Sequence, residues 1–423
     1  MKNEPKIRIK GFEGEWKKHP FSETFAFLRN NSLSRAELNY KGGLVKNVHY
    51  GDVLIKFGEI IDVNKEILPF ISDNEISKRF IPNAILNEGD IVFSDAAEDE
   101  TVGKCSEMLN VGKNMIVSGL HTVPCRPIIV FANCYLGFYL NSKAYHNQLL
   151  PLIQGTKISS LSKAAFLNTN VSYPNSISEQ RAIATYFRHL DSLIEIADKK
   201  VASLKQVKEA SLQSMFPKEG QKVPEVRFKG FEGEWKTTLL KEISQKVVEK
   251  NVKLQYKITL TNSAEYGIID QLDFFDHKIS NNDNIRNYYI VRDRDFVYNP
   301  RISTSAPVGP INQNLLGYVG VVSPLYYVFR IHNIDECYLR YFFKTKLWHT
   351  FMKDNGNSGA RFDRLSITDD IFEKMPIIHP ADKAEQRKIA SFFVHLDKQI
   401  AIAQQRLDLL RRIKSACLDG MFV

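Results

Sequence analysis

Apolar positions in two stretches of the chain advance by four and three residues in strict alternation. The first stretch gives Ile183, Phe187, Leu190, Ile194, Ala197, Val201 and Leu204. The second gives Ile389, Phe393, Leu396, Ile400, Ala403, Leu407 and Leu410. A helix packed on a globular surface needs only a broad apolar face, whereas sustained 3–4 alternation is the seam of a coiled coil. Lys208 and Lys414 take the next seam position in each copy, which predicts that the tight seam stops short of them. Both stretches also carry start signals. Ser176 with Glu179, and Asp382 with Glu385, fit the reciprocal box in which two side chains satisfy orphan amide donors, and Pro174 and Pro380 stand just upstream. The first helix is predicted from about Ile177 to Met215, with Pro217 ending it, a length of roughly 55 Å. The two copies are natural partners for each other; the alternative is that each packs on its own domain.

The segments between have a different texture. Met115–Phe131 and Val319–Ile331 are rich in β-branched and aromatic residues and broken by Gly and Pro, as strands are. Cys337–Asp354 shows the wide apolar face of a helix. The mixture predicts α+β domains on strongly twisted, partly barrel-like sheets. These segments are weakly repeated. "GDIVFSD" (Gly89–Asp95) lies over "RDFVYNP" (Arg294–Pro300), and "IVSGLHTVP" (Ile116–Pro124) over "VVSPLYYVF" (Val321–Phe329), each 205 residues apart. Further matches start at Cys134 with Cys337 and at Gly155 with Gly359. Strong repeats bracket them: "PKIRIKGFEGEWK" (Pro5–Lys17) against "PEVRFKGFEGEWK" (Pro224–Lys236), and "EQRAIATYFRHLD" from Glu179 against "EQRKIASFFVHLD" from Glu385. The chain reads as a duplication that kept its framework and changed its contents.

Charge adds a class of partner. Lys and Arg number 57 against 48 Asp and Glu, a net +9, which favours an acidic partner, nucleic acid first. An ordinary basic surface is the alternative. Five cysteines, an odd number with no C-x-x-C pair, argue against a disulfide framework or a zinc site and suit a reducing cytoplasm. No signal-peptide core opens the chain, and no apolar run approaches the ~18 residues of a membrane span. Catalytic motifs are harder to find. Neither a G-x-x-x-x-G-K-[ST] loop nor a G-x-G-x-x-G turn occurs. "NPRI" (Asn299–Ile302) lacks the second Pro and the aromatic of an amino-methyltransferase loop. Glu15–Lys17 and Glu234–Lys236 supply the E-x-K half of a metal-dependent nuclease, but no Asp precedes the first copy to complete a metal shell. The carboxylates of Ser94–Glu100 read as an acidic loop, and His189 and His395 as packing or partner positions.

The P-x-x-x-x-EQ-x-x-I-A-x-x-F-x-x-L-D helix start, present twice, together with the paired GFEGEW stretches, resembles the specificity subunit of a Type I restriction–modification system. The match covers nearly the whole chain. "GDIVFSDAAED" with "SGLHTVPCRP" resembles one kind of target-recognition domain, and "NPRI", "VGP" and "GVVSPLYYVF" another. The resemblance implies recognition domains at residues 1–172 and 218–378, separated by conserved helices at 173–217 and 379–423 that form an antiparallel coiled coil. It implies a non-catalytic subunit that reads a bipartite, asymmetric target in double-stranded DNA, one half-site per domain. It further implies two methyltransferase subunits as partners, with translocating endonuclease (restriction) subunits in the full complex. S-adenosylmethionine, ATP and magnesium would belong to those partners. The repeated framework would face two identical partners through Trp16, Glu179, Gln180, Arg181, Trp235, Glu385, Gln386 and Arg387; domain packing alone is the alternative for GFEGEW. Base edges and phosphates are read by polar and basic side chains. Candidates of that kind are Ser118, His121, Thr122, Arg126 and Lys157 in the first domain. In the second they are Asn299, Arg301, Ser303, Tyr326 and Arg361, with Lys157 and Arg361 matched as phosphate contacts. Two competing readings remain: a self-contained DNA methyltransferase or nuclease, and a coiled-coil scaffold with no DNA role.

Overall fold

Both heptad stretches are helical in the computed structural model, over Ile177–Ser214 and Lys383–Met421. The structure describes residues 3–80, 84–155, 157–274, 284–357 and 363–423. The chain divides into two compact units, one made of Met1–Asp198 with Gln404–Val423, the other of Lys199–Ala403. The first unit takes in the start of the first long helix and the end of the second; the second unit holds the complementary parts.

Within each unit the two helix segments run antiparallel. In the first, Tyr186 meets Cys417, Asp191 meets Lys414 and Asp198 meets Arg411, so one number rises as the other falls. In the second, Lys208 meets Asp397 and Phe216 meets Phe393. The seam residues are buried or half-buried throughout: Ile183, Phe187, Leu190, Ala197, Val201, Ile389, Phe393, Leu396, Ala403 and Leu407 fully, Ile194, Leu204, Ile400 and Leu410 in part.

The seam does not end at its lysines, as the pattern had suggested. Lys414 Nζ lies 2.6 Å from Asp191 and 2.8 Å from Glu59, over the ring of Phe138. Lys208 Nζ lies 2.5 Å from Asp397, over the ring of Tyr341, whose hydroxyl donates to the same carboxylate. Burial opposes the Lys414 charge, but Glu59 and Asp191 outweigh it and hold its pKa above the usual lysine value. A polar pair at one seam position fixes register, because any heptad slip leaves a buried charge alone.

Past the lysines each helix delivers a phenylalanine into a domain core. Phe422 lies among Trp16, Tyr135, Tyr139 and Phe187 in the first unit, and Phe216 among Trp235, Tyr338 and Phe393 in the second. The expected capping boxes are only half built. Ser176 Oγ accepts from Glu179 N, and Asp382 from Ala384 N. The Glu179 carboxylate turns instead to Arg8, which grips it with two bonds of 2.8 and 2.9 Å and donates Nη1 to Gly14 O. Arg227 does the same with Glu385 and Gly233 O. A bidentate guanidinium pair is a stronger, more directional partner than the helix's own first amide.

The domains are mixed, but each holds several small open sheets in place of one barrel-like sheet. The first unit's main sheet runs in the order Phe25–Phe27, Thr122–Pro127, Ile91–Ser94, Cys105–Leu109, Ile60–Asp62, with only the last pair parallel. The second unit repeats four of these: Ser244–Lys246, Tyr327–Ile331, Phe296–Tyr298, Ile311–Gln313. Register corrects the sequence alignment. Cys125 faces Ile91, and Phe329 faces Phe296, so the second of these strands is displaced by 204 residues and not 205. One residue matters because it exchanges the two faces of a strand. The stretch predicted as one helix from Cys337 is two, Glu336–Phe342 and His349–Asn355. Thr345 Oγ1 bonds Phe342 O, and Trp348 Nε1 bonds Phe343 O, closing the first helix with side chains.

Glu107 stands in the middle of the strand Cys105–Leu109. It is fully buried and accepts from the amides of Cys134 and Gly137, capping the helix Tyr135–Leu140 from a neighbouring strand. The matched place in the second unit, opposite Phe296 as Glu107 is opposite Ile91, holds Gln313; there Asp335 caps the helix. Burial pushes the Glu107 pKa up to about 7, against the lowering effect of those amide donors. A carboxyl raised on folding binds more protons folded than unfolded between about 4.5 and 7. Its stabilising effect is thus complete in acid and is lost as pH rises towards 7. Glu107→Gln should remove this dependence, flattening the first unit's stability between pH 5 and 8 by up to about 3 kcal/mol. Urea midpoints across that range test it; identical slopes for variant and parent would place the titration elsewhere.

Candidate nucleic-acid interface

Ser118, His121, Thr122, Asn299, Arg301 and Tyr326 lie near one end of the main sheets, where the strand ending at Ser94 or Tyr298 meets the strand starting at Thr122 or Tyr327, and Arg126 lies at the other end beside Asp90. The structure separates framework from surface there. Ser118 and Thr122 are buried, their hydroxyls 2.6 Å apart, and Thr122 also donates to Gly119 O. They shape the turn by which the chain passes from one sheet to the next and present nothing to a ligand, which corrects their place among the readers. Arg126 is a second correction. It pairs with Asp90 through bonds of 2.8 and 2.7 Å, and Arg330 pairs with Asp295 in the same way. A pair kept in both units is framework. Asn299 is a third: its amide donates to Asn262 O and its oxygen accepts from Arg301 N.

The other candidates lie on the surface. His121 stands in that turn in a left-handed conformation, φ 52°, half exposed, 3.3 Å from Asp95 and edge-on to Tyr50. Burial raises the Asp95 pKa, and His121 beside it opposes that rise. Arg301 is exposed, with Asp363 at 4.0 Å. Ser303 is exposed and its hydroxyl accepts from Ala306 N. Tyr326 is half-buried, 3.4 Å from Thr261 Oγ1. It joins Tyr289, Leu325 and Arg364 around a cleft of 510 Å³. Lys157 is exposed; Arg361 lies outside the described residues. Lys157→Ala should weaken DNA binding about equally for all sequences and lower the salt slope by roughly one unit. Titrations at several salt concentrations measure this, and an altered base preference with an unchanged slope would make Lys157 a base reader.

The framework residues expected at a partner surface prove to be internal. Trp16 and Trp235 are buried against Tyr135 and Tyr338. Glu179 and Glu385 are held by the arginines described above. Gln180 accepts from Ala132 N and donates to Pro174 O; Gln386 accepts from Asp335 N and donates to Pro380 O. All six brace the joint between helix and domain, so their side chains are not available to another protein. Arg181 and Arg387 are exposed. Sequence reasoning passed over Arg8 and Arg227, although both sit inside the thirteen-residue repeat, and Phe216 and Phe422, whose "MF" recurs at the 206-residue spacing of the helices.

One module built twice, each copy with its own polar sheet end and with the same helix-to-domain joint, defines a duplicated recognition protein. A family model described as the Type I restriction modification DNA specificity domain matches residues 44–206 and again 232–412. The chain belongs to that family. Solved structures share the fold. A "Type-I restriction-modification system S subunit from M. genitalium" aligns with a TM-score of 0.56 at 11% identity, over 99% of both chains. A chain from a study of "complex assembly" and "conformational transition of the type I R-M system" aligns with a TM-score of 0.54 at 15% identity, over 96% of this chain and 97% of that one. No curated protein sequence matches. Among the described residues, no helix is long and apolar enough to cross a membrane.

Proposed function

We propose that this chain reads a bipartite, asymmetric target in double-stranded DNA, one half-site per unit, and carries two methyltransferase subunits of a Type I restriction–modification complex in the cytoplasm. Translocating endonuclease subunits join the full complex. S-adenosylmethionine, ATP and magnesium are bound by the partners, and this chain performs no chemistry itself. The observation that carries the reading is the doubled match to a DNA-specificity family, one copy on each unit, over a framework whose helix-to-domain joint recurs in both.

The partner surface is best sought where both units expose the same positions. Arg181 recurs as Arg387, Ile196 as Ile402 and Val207 as Ile413, each pair 206 residues apart and each exposed. Bare apolar side chains at repeated places suit two copies of one partner. The test is methyl transfer from labelled S-adenosylmethionine to DNA, by the chain alone and with its methyltransferase. Transfer is expected only in the assembled complex, with two methyltransferase copies per chain. Transfer by the chain alone at a comparable rate would make it the enzyme, and binding indifferent to sequence at every salt concentration would leave it a scaffold.

A further inference from the structure

Because the two units are copies, their strand registers allow a position-by-position comparison within one molecule. Asp95 O accepts from Leu161 N, and Pro300 O accepts from Leu365 N, so Asp95 matches Pro300 and Leu161 matches Leu365. Ala96 faces Ser160 as Arg301 faces Arg364. Ser94 faces Thr122, and continuing the matched ladder puts Asn299 against Tyr326 and makes Leu325 the counterpart of His121. Lys163 and Asp369 each open the short helix that ends at the matched phenylalanine region, Lys163–Leu167 and Asp369–Phe372.

Around this sheet end the framework is kept. Leu161 and Leu365 and the buried rings Phe166 and Phe372 recur, and the Asp90–Arg126 and Asp295–Arg330 pairs recur at the far end of the same strands. The rim is exchanged at every matched position: Asp95 for Pro300, Ala96 for Arg301, His121 for Leu325, Ser160 for Arg364, Lys163 for Asp369. The chemistry changes with it. In the first unit an imidazole and a carboxylate 3.3 Å apart project beside Lys163, whose ammonium lies over the Phe27 ring. In the second unit the same place is an open cleft of 510 Å³ walled by Tyr289, Tyr326 and Tyr327, with Leu325 at its lip and Arg364 at its side. Leu325 is 57% exposed and lines the mouth of that cleft.

We propose that this sheet end is the specificity-determining site of each unit, and that it reads different bases because its chemistry was exchanged after duplication. Asp95 and His121 read one half-site through hydrogen bonds to base edges, the carboxylate taking an exocyclic amine of cytosine or adenine. Leu325 reads the other by contact with a thymine methyl, with Arg301 or Arg364 on an adjacent guanine. The proposal rests on the DNA-reading function given above.

The experiment uses the full chain assembled with its methyltransferase and a pool of double-stranded DNA with randomised half-sites. Parent, His121→Ala, Leu325→Ala and Arg364→Gln are compared. All three side chains are at least partly exposed, and thermal melts of the variants check that each is folded. His121→Ala should change base preference about tenfold at one or two positions of a single half-site. Leu325→Ala and Arg364→Gln should do so only in the other half-site. Loss of affinity with unchanged preference would place these side chains on phosphates and overturn the proposal, and so would variants that alter both half-sites together or neither. If the parent complex itself selects no sequence, the DNA-reading function fails, a distinct result.

Discussion

Phe422→Ala is expected to destabilise the first unit by about 3–5 kcal/mol, the range for emptying an aromatic site in a packed core. The ring is 5% exposed and sits 5.6 to 6.4 Å from the ring centroids of Trp16, Tyr135, Tyr139 and Phe187. It is held by three elements distant in sequence, the segment at Trp16, the helix Tyr135–Leu140 and the helix Ile177–Ser214, so collapse of the site would require all of them to shift. Phe216→Ala should act alike on the second unit, where the ring meets Trp235, Tyr338 and Phe393. Each phenylalanine follows directly on the end of a long helix whose start lies in the other unit, but its packing is local. The effects should therefore be read unit by unit, by hydrogen exchange at the buried strands Ile91–Ser94 and Phe296–Tyr298 alongside urea unfolding. Unchanged protection at Ile91–Ser94 in Phe422→Ala would mean that the helix end contributes nothing to that core. Phe422→Leu should cost far less, since most of the volume is kept.

The long helices are legible in the sequence, and the phenylalanines that follow them are not. Heptads are legible because the signal is periodic and local: seven positions on one helix declare the seam together. Phe422 declares nothing by itself. Its partners lie more than 200 residues away, and only the doubled "MF" hinted at a shared duty. The capping boxes failed for a similar reason. Ser176 and Glu179 satisfy the local rule, but Arg8, 171 residues earlier, competes for the carboxylate and takes it. The base-reading candidates divided along the same line. His121, Arg301 and Tyr326 have base-reading chemistry and reach the surface, Tyr326 in part. Ser118, Thr122 and Asn299 have equally suitable chemistry but turn inward, and the one-residue slip between the duplicated strands hid which face each occupied. Composition can nominate a reader; only register can say which way it points.

Seven residues inserted into both long helices should lengthen the preferred spacer between half-sites and leave the half-sites themselves unchanged. The helices pass from one compact unit to the other between Asp198 and Lys199 and between Ala403 and Gln404, which are the natural places for the insertions. A heptad preserves the apolar seam, and the Lys414–Asp191 and Lys208–Asp397 pairs each lie on one side of those points and stay intact. At 1.5 Å per residue the addition is about 10 Å, or roughly three base pairs at 3.4 Å each. The base-reading positions keep their places within each unit, so no new half-site is expected. A three-base-pair addition also turns the second half-site by about a third of a turn around the DNA axis. The spacer series should therefore extend through one full turn, about ten added base pairs. The readout is methylation by the assembled complex on DNAs that differ only in spacer. Longer preferred spacing, at any point in that series, makes the helix pair the ruler. If a folded insertion variant keeps the parent's spacing, the helices do not set it, and the distance between half-sites is imposed by the methyltransferase subunits that bridge them.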